Sequence, residues 1–157
     1  MALRLSTGTR NGLLGTTGFT TLFADGVMDI YSGTPPASAD AAETGALLVR
    51  ITVGSATCGT AGTGGGTAGT NGLNFGTAGA GTITKNADTW SGVGLANGEA
   101  GWWRFYNTNI LQGTSGTSVR MDGVCGVSGA DLNMSDLTVA SAATVTIDTF
   151  SITLPAY

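Results

Sequence analysis

Six carboxylates, Asp88, Glu99, Asp122, Asp131, Asp136 and Asp148, fall at or near the ends of apolar segments, where a pair could act as acid and base on a glycosidic bond. No spacing fixes any two of them as partners. Most stand beside Gly, Asn, Ser or Thr, where Asp serves as a turn residue through hydrogen bonds to nearby backbone. Asp131-Leu132-Asn133 with Asp136 offers oxygen ligands to calcium, but without the spacing of an EF-hand loop. Gly64-Gly65-Gly66-Thr67-Ala68-Gly69 matches the glycine pattern of a dinucleotide site, yet no strand-helix-strand unit surrounds it, and so glycine-rich a tract produces such matches by chance. The sole lysine, Lys85, lacks the Walker spacing of a phosphate loop.

The absence of histidine removes the commonest general base, the Ser-His-Asp and Cys-His nucleophiles and every His-containing zinc site. Cys58 and Cys125 have no C-x-x-C spacing and are too few to hold a metal; a disulfide between them stays open, and in a reducing compartment they read as two free thiols. No catalytic, cofactor-binding or metal-ligating residue is assigned, and neither a cofactor nor an enzymatic activity is expected. With Lys+Arg 6 against Asp+Glu 10 and a net charge of -4, the chain lacks the basic surface that nucleic acid requires. Its apolar runs fall short of the ~20 residues of a membrane span, and Met1 to Thr7 lacks the apolar stretch of a secretory signal. The reading is a soluble protein made in a cytoplasm, with no membrane partner.

The aromatic residues are more informative. A flat surface of Trp90, Trp102 and Tyr106 beside Arg104 could stack on a sugar, anchor a subunit interface or simply pack. Leu13, Leu14, Phe19, Leu22 and Phe23 fall roughly on one face of a 3.6-residue period interrupted by Gly12, Gly15 and Gly18. Helices so short hold only when docked, on their own sheet or on a neighbouring chain. These nine residues are the candidate interface.

Positioning them requires the following elements. One or two short N-terminal helices are expected within residues 1-26, from about Thr7 to Leu14 with Ser6 as cap and from about Thr20 to Ala24, ended by Asp25-Gly26. Val27 to Tyr31 reads as a strand, and Ser32 to Asp40 as a loop carrying Pro35 and Pro36. Leu47, Val49, Ile51 and Val53 alternate with Leu48, Arg50 and Thr52 as a half-buried strand. Residues 54-72 form a Gly/Thr/Ala tract too poor in apolar side chains to repay ordering, hence an exposed loop, with a return through Leu73 to Phe75 and Thr82 to Thr84. Gly101 to Tyr106 is an aromatic strand with Trp103 and Phe105 on one face and Trp102, Arg104 and Tyr106 on the other. Val119 to Val127 is another strand, with Arg120 and Asp122 opposite Met121. Near Asp148-Thr149 the apolar parity changes, from Val145 and Ile147 to Phe150, Ile152 and Leu154, so the last strand bulges or bends into a second sheet. With Gly at 27 of 157 residues against a usual ~7%, and a length near the ~150 residues of one domain, the expected fold is a single all-β domain over 1-157: an antiparallel sandwich or jelly-roll-like fold with one or two short N-terminal helices.

Leu3 to Gly8 with Arg10-Asn11, Ile30 to Gly45, Leu73-Asn74-Phe75, Lys85-Asn86, Trp90-Ser91-Gly92, Ala100 to Phe105, Gly129 to Asn133 and Thr146 to Ala156 together resemble a family of small virion structural proteins of tailed bacteriophages. The likeness spans nearly the whole chain, although the stretch from about Ser55 to Asn71 is longer than the family's usual connection. The resemblance carries no catalytic residues. It implies a capsid decoration (cement) protein on the outside of the virion head, self-associated as a homodimer or homotrimer and bound to the major capsid protein or other virion proteins. A tail, neck or fibre component and a carbohydrate-binding adhesin module using Trp102 and Tyr106 are the alternatives.

One consequence concerns the tract itself: removing most of Gly54 to Gly72 should leave the melting temperature nearly unchanged, because loop-closure entropy varies slowly with length. A large fall in thermal denaturation would make it an ordered element.

Overall fold

The computed structural model describes residues 3–58, 66–67 and 71–154, so all of the Gly64-Gly69 match except Gly66 and Thr67, and about half of the Gly-rich tract, lie outside the described residues. The strands in chain order are β1 (Arg4–Leu5), β2 (Val27–Ser32), β3 (Leu47–Val53), β4 (Gly66–Thr67), β5 (Thr82–Thr84), β6 (Trp90–Val93), β7 (Gly98–Tyr106), β8 (Asn109–Ile110), β9 (Arg120–Gly126), β10 (Leu132–Asn133), β11 (Thr138–Val139), β12 (Thr144–Ile147) and β13 (Ser151–Thr153). Nine of them form one sheet in the order β1-β9-β7-β2-β3-β6-β12, with β10 beside β9 and β11 beside β7; β13-β5 and β4-β8 are separate ribbons. Every pairing is antiparallel except β10 with β9. The chain is thus an antiparallel β protein with two short helices, α1 (Thr7–Leu14) and α2 (Phe19–Leu22). The all-β fold with two short helices is as expected, and the strand pairing is one large sheet and two ribbons.

Helix α1 has the expected bounds and cap, with Ser6 Oγ accepting from the Thr9 N–H. It docks through hydroxyls rather than through its leucines. The Ser6 and Thr9 side chains are buried, both accept from the Arg120 N–H, and Thr9 donates to the Arg120 carbonyl. Leu14, by contrast, is 88% exposed. Helix α2 starts one residue earlier than expected, after Gly18, and ends before Phe23. The leucines and phenylalanines of residues 13–23 therefore do not share one docked face: Phe23 is fully buried, and Phe19 and Leu22 pack against the core.

The main core lies on the Trp103 and Phe105 face of β7, where the rings of Phe23, Phe75, Trp90, Phe105 and Phe150 meet at centroid distances of 5.3 to 6.1 Å. In β3 the simple alternation fails. The β2-β3 register shifts between Ile30 and Tyr31, so Leu48 enters the core beside Val49 and Ile51 while Leu47 and Val53 are only partly buried. The parity change near Asp148 is a change of sheet: β12 pairs with β6 in the large sheet, and three residues later β13 pairs with β5 in a ribbon.

Phe23→Ala removes a ring that contacts Phe19 and Phe105 at the centre of this core, and should cost about 3–5 kcal/mol in urea unfolding. Unchanged stability would mean that the helical segment is not fastened to the sheet through this ring.

Candidate functional site

The face of the sheet opposite the aromatic core carries a row of charge. Alternation puts Arg104 on the Trp102 and Tyr106 side of β7, and the strand registers place Arg4 opposite Asp122, Asp122 opposite Arg104, Arg104 opposite Asp29 and Asp29 opposite Arg50. Across five adjacent strands the sign alternates. Two of the pairs are bidentate: Arg104 Nε and Nη2 donate to the two Asp122 oxygens at 2.7 Å each, and Arg50 Nε and Nη2 donate to Asp29 at 2.7 and 2.6 Å. Asp29, Arg104, Asp122 and the adjacent Arg120 are fully buried.

Over Arg104 and its neighbours on β7 the loop between β2 and β3 crosses this face as a strap. It leaves β2 at Gly33 and rejoins β3 through Gly45, both with positive φ (77° and 78°), and a side chain at Gly45 would run into the Ser32 carbonyl. Glu43 is its principal fastener. One carboxylate oxygen accepts from Arg104 Nη1 at 2.8 Å and from the Tyr106 hydroxyl at 2.7 Å, the other from the Gly113 N–H at 2.9 Å. Arg104 Nη1 also donates to the Ala41 carbonyl, and Trp102 Nε1 to the Thr44 carbonyl. Arg4 donates to the Pro36 carbonyl, and Asp40 accepts from the Thr7 N–H and hydroxyl at the start of α1. Beneath the strap Trp102 stacks on Tyr31 at 4.6 Å, and the Tyr31 and Tyr106 hydroxyls are 3.2 Å apart.

The electrostatics follow from burial set against pairing. Burial pushes the carboxyls of Asp29 and Asp122 up, opposed by the guanidiniums that clasp them. Burial also disfavours charge on Arg50 and Arg104, but the hydrogen bonds of Asp29 and Asp122 outweigh it and hold both guanidiniums above their ordinary value. Glu43 would likewise be raised by burial, yet the Gly113 N–H, the Tyr106 hydroxyl and Arg104 together hold it below the usual carboxylate range. Arg120 is lowered, by burial and then by Arg104; its Nη1 donates to the Gly113 carbonyl while Nε and Nη2 have no partner. Asp29, Glu43 and Asp122 balance Arg50, Arg104 and Arg120, a neutral set in which the paired groups satisfy one another. That arrangement holds a loop to a sheet.

Trp90, Trp102, Arg104 and Tyr106 are 0% exposed and so form no open contact face, which corrects that part of the expected interface. Leu13 is half-buried, and Leu14 alone among the nine stands fully in solvent. The carboxylates disperse. Asp122 is in the row, Asp136 accepts from the Thr138 N–H as a turn residue, and Asp131 accepts from the Val124 N–H. Among the described residues no three acidic, histidine or cysteine side chains converge as metal ligands. Cys58 and Cys125 are unbonded, with burial pushing the Cys125 thiol up to about 12. Sequence reading missed Asp29, Glu43 and Arg50. The first and last sit at the strand parity that faces the strap, a signal present in the alternation, whereas Glu43 lies in a loop with no period at all.

A second feature is an open groove of about 1010 Å³ on the core side, lined by Leu3, Leu5, Asp131 and Asp148 over the buried Trp103 and Phe150. The buried Nε1 of Trp103 has no hydrogen-bond partner. Comparison with family models, with curated proteins and with solved structures finds no match to this chain. Among the described residues no helix is long and apolar enough to cross a membrane.

Glu43→Gln should destabilise the fold by about 3 kcal/mol, the low end for breaking one side of a buried pair, since Glu43 retains 13% exposure. The sign with pH is fixed by the lowered carboxyl. Its contribution is complete above the unfolded value near 4.5 and is lost as pH falls through the lower folded value, so the variant's stability curve should flatten below about pH 4.5. A variant as acid-sensitive as the parent in chemical denaturation would show that the strap is held by its other contacts.

Proposed function

We propose that this chain is a structural protein of a tailed-bacteriophage virion, a capsid decoration protein that binds by symmetry over the major capsid protein. The observation that carries the reading is where the residues of the resemblance lie. Ile30 to Gly45 is the end of β2 and the strap, Ala100 to Phe105 is the strand the strap covers, and Leu3 to Gly8 is the β1-α1 corner that Asp40 fastens. The residues of the resemblance thus include those that brace the sheet, which suits a part that must bear mechanical stress.

A braced sheet suits such a role physically. Fixed side chains and a fastened loop leave little to order when a contact forms, so more of the interface burial appears as affinity. Repeated by symmetry, modest contacts become a strong shell. Leu14, Leu95, Val127 and Leu154, all more than half exposed, supply apolar points for such contacts. A tail, neck or fibre position in the same particle is the second reading, supported by the same resemblance. The adhesin reading loses its platform, because Trp102 and Tyr106 lie beneath the strap.

Quantitative mass spectrometry of purified particles distinguishes these positions. Decoration requires hundreds of copies in simple ratio to the major capsid protein; a few dozen or fewer would move the chain to the tail or neck, and none would remove it from the virion.

A further inference from the structure

The groove is lined by two strands that each have one unpaired edge. Among the described residues β1 pairs only with β9, and β13 only with β5. The direction of the free groups on β13 follows from the ladder. Lys85 N–H donates to the Phe150 carbonyl and Leu154 N–H to the Gly81 carbonyl, so Phe150, Ile152 and Leu154 turn their main-chain groups toward β5. Antiparallel alternation then turns the N–H and carbonyl of Ser151 and Thr153 away from it. The same argument on β1, from Ser6 N–H donating to the Arg120 carbonyl, turns the main chain of Leu5 away from β9.

Open main-chain groups beside an apolar floor are the features that accept an added strand. Leu3, Leu5 and Phe150 supply the apolar wall, and the Trp103 indole N–H in the groove wall lacks an acceptor. Charge selects the occupant. Asp131 and Asp148 border the groove, while its lysine, Lys85, already donates to the Asn86 and Asp88 carbonyls. A second copy of this acidic chain is poorly suited, since three of its five arginines, Arg50, Arg104 and Arg120, are already committed to Asp29, Asp122 and the Gly113 carbonyl.

We propose that the groove receives an extended segment of another protein, which adds as a strand to the free edge of β13. That segment carries apolar side chains at alternate positions and a basic residue beside Asp131 and Asp148. Backbone pairing supplies the affinity, and the alternate side chains supply the choice of partner.

The probe is an array of capped nonapeptides with Val, Ile or Leu at alternate positions and Thr, Lys or Arg between them, applied to the full chain. Members containing Lys or Arg should bind, shift the tryptophan fluorescence and slow hydrogen exchange at Ser151 and Thr153. Thr153→Pro, which removes an outward N–H, no main-chain bond to β5 and, of side-chain bonds, the exposed hydroxyl contact with Thr82, should weaken binding at least tenfold, whereas Thr153→Val, which loses that hydroxyl contact and keeps the N–H, should leave binding unchanged. N-methylation of alternate peptide bonds should abolish binding without altering the protein, and Asp131→Asn with Asp148→Asn should weaken it severalfold and reduce its salt dependence. An array with no binder, or binding indifferent to both Thr153→Pro and N-methylation, overturns the proposal. Self-association of the parent chain that Thr153→Pro abolishes would make the occupant a second copy and overturn the choice of partner.

Discussion

Taking a guanidinium or a carboxylate out of water costs several kcal/mol per ion, and attraction in the interior repays this only when geometry is good and the remaining polar atoms are satisfied. In this chain the condition is met by sheet register. Strands whose central charged residues alternate in sign lie side by side, so that Asp122 meets Arg104 and Asp29 meets Arg50 through paired hydrogen bonds. A slip of one residue in any of these strands would send a charge toward the aromatic core and turn a core-facing residue to the charged face. The row therefore constrains which strands are neighbours and in what register, and the rest of the fold is arranged around it.

The strap is the second half of the same constraint. Leaving the row open to water would screen it; covering it with an ordinary loop would bury main-chain groups without partners. The loop from Gly33 to Ala46 avoids this by giving its carbonyls at Pro36, Ala41 and Thr44 to Arg4, Arg104 and Trp102. Glu43 then ties the loop to Tyr106, Arg104 and the Gly113 turn at one point. A charged face that would read as solvated on an isolated strand becomes interior, and the sheet is covered on both sides through its middle.

Much of this architecture was legible from residue order alone. The α1 bounds with Ser6 as cap, the two-faced character of Gly101 to Tyr106 and the change of sheet after Ile147 are local signals, written in capping chemistry and in period two. What alternation does not carry is neighbourhood. It places Arg104 and Asp122 on faces of their own strands without saying that those strands adjoin. Burial of Trp102 and Tyr106 was illegible for a related reason, since the cover is a loop of Pro, Ala, Ser and Asp with no periodic signature. The α1 docking was misread because hydroxyls, not leucines, make it. The bulge that admits Leu48 depends on the β2 register and has no counterpart in β3 itself.

The place of β1 in the sheet has a consequence for how the chain is made. Ser6 meets Arg120 across 114 positions, and among the described residues β1 is an edge strand paired with β9 alone. During synthesis at about 5–20 residues per second, the first strand and the helix after it wait on the order of ten seconds for the segment that receives them. Until then Arg4 lacks its counterpart Asp122, Glu43 lacks the Gly113 N–H, and the start of α1 has no seat. Folding of the β1-α1 corner is thus timed by the synthesis of β9, and residues made well before it must wait to find their place.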